Sequence, residues 1–248
     1  MAVSVDTVYQ RVLALANKEQ RGYITPQEFN LLANQAQMQL YEQYFYDLNQ
    51  FHRNPGNATS AGDSVDDIED KLSIFQVYNF PLTVTAGADV ILPVNSSAGY
   101  PAGTENLYRL QEVRHNDNIC AQVEPKKIHL MKKGVFAGQP LLEHPIYIRT
   151  NNKIQVYHYN AAGGFTSIFS NLTCDYMRVP NKVEWDYVVV NEKALYNASG
   201  STDFEVHPAE EAKLVLKILE LSGIVINKPG LSSYGKSEHV EADNKRKS

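Results

Sequence analysis

The chain has 248 residues, of which 43% are apolar and 21% charged, and its formal net charge is -5. This length and composition suffice to bury a substantial core in one domain or two small ones. Acidic residues outnumber the scattered basic ones by 28 to 23, which argues against a protein that grips the phosphate backbone of DNA. No run of about 18 apolar residues occurs, so neither a transmembrane helix nor a membrane partner is predicted.

The two cysteines, Cys120 and Cys174, lie far apart and form no CxxC pair. The opening MAVSVDTVYQ has neither the basic nor the apolar region of a secretory signal. We therefore expect the chain to fold in a reducing cytoplasm.

Two helices, forming a helical hairpin, are predicted over residues 1–51. In the first, between positions 4 and 17, apolar residues recur at helical spacing; they are Val5, Val8, Val12 and Leu15. The second helix begins at a capping box, Thr25-Pro26-Gln27-Glu28, with proline at its first helical position. Ile24 and Phe29, on either side of the box, are placed to form a hydrophobic staple.

The second helix carries more apolar surface than one small partner would cover. One stripe consists of Phe29, Leu32, Ala36, Leu40, Tyr44, Leu48 and Phe51, and a neighbouring stripe consists of Leu31, Met38, Tyr41 and Phe45. Between Phe29 and Tyr46 the only charged residue is Glu42, and most other polar positions are amides, which cost less to desolvate than lysine or glutamate. We therefore predict that the second stripe contacts other copies of the chain. The alternative is a central helix buried within its own subunit.

The composition and the hydrophobic pattern change in the middle of the chain. Residues 52–70 are rich in Gly, Asn, Ser and acid and predict an acidic loop. Between residues 71 and 206, short apolar segments separated by Gly, Pro and Asn predict strands, with one short helix between Glu124 and Lys133. The clearest hairpin turns at Asn151-Asn152, since asparagine tolerates the left-handed backbone of a tight turn. These strands predict an antiparallel β-sandwich or barrel-like domain.

The C-terminal part is predicted to be a helix followed by a tail. Residues 207–226 begin with His207-Pro208 and place Leu214, Ile218 and Leu221 on one side, which predicts a helix that packs on the helical part. Residues 227–248 are small and polar and predict a flexible, extended tail that docks on a neighbouring protein. The candidate contacts of the tail are its largest apolar side chains, Leu231 and Tyr234. The predicted fold class is therefore α+β.

Motifs that carry chemistry are few. Positions 17–28 place Gly, Ile and Glu as in an EF-hand-like loop, yet Arg21 stands where an oxygen ligand is required. The capping box accounts better for Thr25 and Glu28. The seven histidines form no HxH or HExxH motif, and no GxSxG, Walker or GxGxxG motif occurs. We therefore predict no catalytic, cofactor-binding or metal-binding residue; a hydrolase whose site converges only in the fold is the remaining enzymatic alternative.

Three stretches of the chain resemble a known family. The opening, VYQRVLALANKEQRGYITPQEFNLLANQAQMQLYEQYFYDLNQF, is similar to the starts of virion ring proteins from crAss-like and related short-tailed bacteriophages. HPIYIRTNNKIQVYH followed by LTCDYMRVPNKVEW resembles the strand-rich part of tail tubular protein A-like adaptors, where a tyrosine-containing strand leads into proline and tryptophan. Here those residues are Tyr176, Pro180 and Trp185. HPAEEAKLVLKILELSGI resembles the helix that ends their folded part, so the likeness covers most of residues 4–226.

The resemblance implies a head-to-tail adaptor, a non-enzymatic ring protein of the virion tail or neck that is made in the host bacterial cytoplasm. Its subunits would form a closed homo-oligomeric ring, a dodecamer in most of this family, in contact with the portal protein and other tail proteins. Genomic DNA would pass through the centre without sequence-specific binding, helped by the acidic balance. The alternative is a peripheral β-sandwich binding module, a tail or capsid decoration that contacts glycans through exposed tyrosine and tryptophan.

Overall fold

A computed structural model describes residues 2–18, 24–53, 59–84, 89–94, 106–132, 140–160, 164–168 and 170–225. The chain divides into two compact units. The helical unit comprises Met1–Ile74 and Pro180–Ser248, and the β-rich unit comprises Phe75–Val179. The helical unit is therefore discontinuous in sequence, and the β-rich unit is inserted between its two parts.

The described helices are α1 (Val5–Lys18), α2 (Pro26–Arg53), α3 (Thr59–Ser73), α4 (Pro125–Lys132) and α5 (Glu211–Val225), with a 3-10 turn at Pro208–Glu210. The described strands are β1 (Gln76–Pro81), β2 (Thr83–Val84), β3 (Val90–Ile91), β4 (Leu107–His115), β5 (Asn118–Ile119), β6 (Ala121–Gln122), β7 (Ile146–Thr150), β8 (Lys153–Asn160), β9 (Gly164–Ile168), β10 (Leu172–Arg178), β11 (Tyr187–Val190) and β12 (Lys193–Tyr196). Helices together with several largely antiparallel sheets confirm the predicted α+β class.

The buried face of α1 follows the helical period. Val5, Val8 and Val12 are fully buried, as predicted. Ala16, four residues after Val12, continues the buried row. Leu15, predicted to belong to it, is instead exposed, because at about 100° per residue it lies at the edge of this face.

The start of α2 is the predicted capping box. The Thr25 N–H donates to the Glu28 carboxylate at 2.9 Å, and the Glu28 N–H donates to Thr25 Oγ1 at 3.3 Å. The hydrogen bond from the Thr25 backbone holds the pKa of Glu28 below its usual value. Ile24 and Phe29 are buried in the same hydrophobic cluster, as a staple requires. The Glu28 carboxylate is thus engaged in capping the N-terminus of the helix.

The acidic segment predicted as a loop over residues 52–70 is largely helical, because α3 begins at Thr59. Ile68 and Leu72, four residues apart, are buried, and the half-buried Val65 lies three residues before Ile68 on the same face. Among the side chains of α3 that the structure describes, these three apolar residues carry the helical period beside many acidic ones. The composition therefore indicated a loop although a weak amphipathic pattern was present.

The core of the helical unit joins both ends of the chain. Leu214 and Ile218 of α5 are fully buried, as predicted, in one cluster with the buried faces of α1 and α2. Trp185 and Phe204, from the segment between the β-rich unit and α5, belong to the same cluster. The C-terminal helix therefore packs on the helical part, as the sequence predicted.

The β-rich unit contains two sheets. In the first the strand order is β1-β10-β4-β5, and in the second it is β2-β3-β8-β7-β6, with β9 paired to β8. All pairs are antiparallel except β6 and β7. The predicted turn at Asn151-Asn152 joins β7 to β8, with Thr150 opposite Lys153 and a φ of 53° at Asn151. The hairpin and the short helix, α4, are confirmed.

The two cysteines lie in the β-rich unit as buried free thiols. Burial raises the pKa of both Cys120 and Cys174 to about 12. Both therefore remain protonated at neutral pH and act as small apolar core residues.

The β-rich unit is shorter than the domain predicted over residues 71–206. Residues 180–206 belong to the helical unit, and the hairpin β11–β12 within them forms a separate two-stranded sheet. The predicted strand at Tyr187–Val190 exists, but it pairs with Lys193–Tyr196 only. The local sequence pattern identified the strand. It could not show which sheet the strand joins, because that depends on contacts with residues outside the pattern.

Candidate functional site

The predicted contact stripe of α2 does not form one exposed surface. Leu31 is 74% exposed, whereas Tyr41 is only 1% exposed. Met38 and Phe45 are half-buried, and the Phe45 ring packs edge-on against that of Tyr41, with centroids 5.0 Å apart. Tyr41 thus belongs to the core of its own chain, which corrects its assignment to a subunit contact. Leu31 is the member of this stripe whose side chain is largely exposed.

Two asparagines of α2 bind the backbone of their own chain. Asn34 Nδ2 donates to the Val183 carbonyl at 2.8 Å, and its Oδ1 accepts the Val183 N–H at 2.9 Å. Asn30 makes the same pair with Trp185, at 3.2 and 2.9 Å. Each amide side chain therefore supplies the hydrogen-bond donor and acceptor that a neighbouring strand would otherwise provide to this backbone.

Gln37 continues these contacts and completes an amide row, which we define as Asn30, Asn34 and Gln37. Its Nε2 donates to the Asn181 carbonyl at 2.8 Å, and its Oε1 accepts the Glu205 N–H at 3.1 Å. The row binds alternate residues of an extended segment, whose backbone groups point to the same side. The step from Asn30 to Asn34 advances about 6 Å along the helix, which matches the advance of about 6.6 Å over two strand residues; the next step, to Gln37, is about 4.5 Å, and the longer glutamine side chain still reaches Asn181.

The amide row changes the interpretation of this helix. Three of its amides are hydrogen-bonded to residues 181–185 of the same chain, as expected for a central helix that packs within its own subunit. The amide composition of α2 therefore gives no independent reason to expect other copies on that face. Any subunit contact has to be sought among the side chains that remain exposed.

A second exposed feature is the hairpin β11–β12, which stands on a buried tryptophan. Trp185 is buried, its indole Nε1 donates to the Asp6 carboxylate at 3.0 Å, and its ring stacks on Tyr187 and Tyr196 at 5.7 and 5.8 Å. The turn residues Asn191 and Glu192 both have positive φ, as in the tight turn that matches strand twist. Trp185 is thus a support of the hairpin and not the exposed stacking surface that the glycan-contacting alternative expected.

One face of this hairpin is apolar and exposed. Val188 lies opposite Leu195 and Val190 opposite Lys193, so these four side chains share a face. Val188, Val190 and Leu195 are 53%, 46% and 52% exposed. We call these three residues the hairpin patch. Apolar strands without cover mark interaction sites in soluble proteins; the signal available in the sequence was the run of three valines before Asn191.

The outward row of α2 supplies a different exposed set. Leu31 and Tyr46 are both largely exposed, and Gln35 and Glu42 lie between them on the same side. We call Leu31 and Tyr46 the helix patch. The predicted tail contacts, Leu231 and Tyr234, lie outside the described residues.

Two histidines face each other in the β-rich unit. The Nδ1 atoms of His115 and His158 are both buried and have no hydrogen-bond partner among the described residues. Burial, and secondarily the nearby His158, lowers the pKa of His115 below its usual 6.5. The fold therefore favours the neutral form of His115.

Acid is expected to destabilise the β-rich unit through His115. Between the lowered folded-state pKa and the unfolded value of about 6.5, only the unfolded chain binds the proton, so stability is complete above about pH 6.5 and is lost as pH falls. Hydrogen exchange of the β4 and β8 amides, followed from about pH 7.5 to about pH 5 and corrected for intrinsic exchange, measures this directly. His115→Gln should make the stability of the β-rich unit less dependent on pH. If stability falls with pH as steeply in this variant as in the parent, another group is responsible.

The comparisons with known proteins are brief. No protein-family model matches the chain, and no curated protein matches it. Among the residues that the structure describes, no group of three His, Cys, Asp or Glu side chains is placed to hold a metal ion. Within the same residues, no helix is both long and apolar enough to cross a membrane. The function is therefore inferred from the hairpin patch, the helix patch and the resemblance of the sequence.

Proposed function

We propose that this chain is a virion structural protein, one subunit of a ring-shaped homo-oligomer that connects the portal to the tail of a bacteriophage. The observation that carries the proposal is the hairpin patch, three aliphatic side chains each about half exposed on a two-stranded sheet. A two-stranded sheet is marginal by itself. Cover from a second copy of the chain removes its apolar face from water and stabilises it.

The helix patch supports a ring rather than a two-fold dimer. A closed ring joins two different surfaces of each subunit, head to tail, whereas a two-fold dimer pairs one surface with itself. The helix patch and the hairpin patch share no residue, and both belong to the helical unit. Leu31 and Tyr46 lie about 22 Å apart along α2, so in this arrangement the hairpin patch of one subunit contacts one end of the helix patch of the next.

The proposal assigns a separate role to each unit. The helical unit supplies the contacts of the ring. For the β-rich unit we propose a β-sandwich, supported by a hydrophobic cluster among its described residues that takes side chains from both sheets. The ring is a dodecamer that contacts the portal and neighbouring tail proteins. Genomic DNA passes through its centre without sequence-specific binding, which the net charge of -5 favours.

The test is the mass of the assembled protein and its dependence on the hairpin patch. Native mass spectrometry and negative-stain imaging of the purified chain, alone and with its portal protein, are expected to show closed rings of about twelve copies. Val188→Asp and Leu195→Asp should each abolish the ring, because they place an unpaired carboxylate in an apolar contact. Both side chains are half exposed, so the monomer should keep its circular dichroism spectrum.

The matched control is Leu130→Asp, which introduces the same charge at a 44% exposed leucine of α4 in the β-rich unit. It should leave the ring intact. A chain that stays monomeric in both conditions, or hairpin variants that assemble like the parent, would refute the ring. A trimer would favour the peripheral binding module instead.

A further inference from the structure

The β-rich unit contains an open pocket of about 560 Å³ at the side of β10. This volume lies within the range of small-molecule sites, about 300–1,000 Å³. Its walls come from β1, β4, β6, β7 and β10 and the end of β5, so a single chain builds it. Neither the ring nor the hairpin patch is involved.

Two β-bulges flank Asp175 and direct side chains into this pocket. In β1, Val77 lies opposite Tyr176 and Phe80 opposite Cys174, which leaves Tyr78 and Asn79 facing Asp175 alone. In β4, Glu112 pairs with Asp175 and Leu110 with Tyr176, so Gln111 is an extra residue. Both Tyr78 and Gln111 line the pocket. Bulges at neighbouring positions that re-aim side chains toward one place are typical of functional sites.

Asp175 holds the first bulge in place. Its side chain is 8% exposed, its Oδ1 accepts the Asn79 N–H at 2.8 Å, and its Oδ2 accepts a hydrogen bond from the Arg114 guanidinium. Asn79 has a φ of 53°, in the left-handed region. A buried charge pair therefore maintains a backbone conformation that most residues avoid. The result is that Tyr78, which is largely exposed, stands at the pocket mouth.

The polar lining is dominated by amides that are only partly paired. Gln76 Nε2 donates to Gln111 Oε1 at 3.1 Å, and the Tyr147 hydroxyl donates to Gln122 Oε1 at 3.3 Å. Among the described residues, the NH2 groups of Gln111 and Gln122 have no protein acceptor. The pocket thus offers amide donors, the acceptor oxygens of Glu112 and Gln76, and the ring faces of two tyrosines.

This combination selects a neutral ligand rich in hydroxyl groups. Each hydroxyl group of a sugar can both donate and accept a hydrogen bond, so a pair of adjacent hydroxyls can bind an amide and a neighbouring carboxylate. The C–H face of a pyranose ring can also pack on an exposed tyrosine ring. Arg114, which contacts two of the lining carboxylates, is paired with Asp175 and lies 3.8 Å from Glu112. Among the described residues that line the pocket there is no Lys or Arg, and the Glu112 carboxylate repels phosphate or carboxylate groups.

We propose that this pocket binds a neutral saccharide, with Gln111, Gln122 and Glu112 hydrogen-bonding its hydroxyl groups and Tyr78 stacking on one sugar ring. Because the pocket is open, one site binds weakly, in the millimolar range. Binding is a property of the single β-rich unit. It succeeds or fails independently of whether the chain forms a ring.

The experiment uses the full-length, isotope-labelled chain and three neutral probes: maltotriose, cellotriose and the trimer of N-acetylglucosamine. Titration is expected to shift, saturably, the amide resonances of residues that line the pocket. Glucose 6-phosphate and glucuronic acid, the anionic probes, should give no such shift. The proposal is overturned if none of the three neutral probes shifts these resonances, or if the anionic probes shift them equally.

Two variants tie binding to the pocket. Tyr78→Ala and Gln111→Ala should each weaken binding of the responding saccharide by about tenfold, the equivalent of one stacking or hydrogen-bond contact of about 1.4 kcal/mol. Tyr108→Ala is the matched control, since this exposed tyrosine of β4 does not line the pocket. Equal losses in all three variants, or none in the first two, would contradict the assignment.

Discussion

Asn34→Ala is expected to lower the free energy of unfolding of the helical unit by about 2 kcal/mol. The substitution leaves both backbone groups of Val183 without the partners that they have at 2.8 and 2.9 Å, and unsatisfied groups away from water are costly. Asn34→Asp should be at least as harmful, because a carboxylate oxygen would replace the donor and face the Val183 carbonyl. Urea unfolding followed by circular dichroism at helical wavelengths measures the loss.

The control for this prediction is Gln35→Ala, one residue along the same helix. Gln35 is exposed, and alanine is at least as good a helix former, so its effect should stay within about 0.5 kcal/mol. Equal stability of the Asn34 and Gln35 variants would mean that water replaces the amide without cost and that the amide row is not a structural element.

Lys71→Ala is expected to destabilise the helical unit by about 3 kcal/mol. The Lys71 ammonium lies 2.9 Å from the Glu210 carboxylate, and both side chains are buried, at 6% and 7% exposed. Removing the cation leaves a carboxylate in a site without its nearest positive charge. Because Glu210 lies in the turn that precedes α5 and Lys71 in α3, the loss should appear as separation of these elements, measured by urea unfolding and by hydrogen exchange of α5.

A double variant distinguishes this charge effect from lost packing. Lys71→Met with Glu210→Gln removes both charges while keeping similar volumes, and it should recover most of the stability lost in Lys71→Ala. Asp67→Ala removes the other carboxylate near Lys71, which is 54% exposed, and should cost well under about 1 kcal/mol. A double variant as unstable as Lys71→Ala would assign the effect to packing alone.

The two units suggest a division of labour between assembly and recognition. The hairpin and helix patches belong to the discontinuous helical unit, whereas the pocket proposed to bind a saccharide lies in the inserted β-rich unit. In a ring of many copies, weak single sites would act together, since linked sites raise the effective concentration of a multivalent partner. The assembly test and the binding test address different residues, so each proposal stands or falls on its own result.

Features that depend on near neighbours in the chain could be predicted from the sequence. The capping box at Thr25 and Glu28 and the hairpin turn at Asn151-Asn152 depend on hydrogen bonds and backbone preferences within a few residues. The buried faces of α1 and α2 follow from the helical period. In each case the residues that decide the structure lie beside one another.

Features that depend on distant residues were decided only by the tertiary structure. Asn34 and Val183 are 149 residues apart, so the sequence showed an amide-rich helix without showing what would bind its amides. The hairpin that begins at Tyr187 was assigned to the wrong unit for the same reason. In α3, the buried Lys71 forms an ion pair with Glu210, which is distant in sequence. The pocket beside Asp175 likewise arises from register shifts between strands, and register is a relation between segments that no single segment contains.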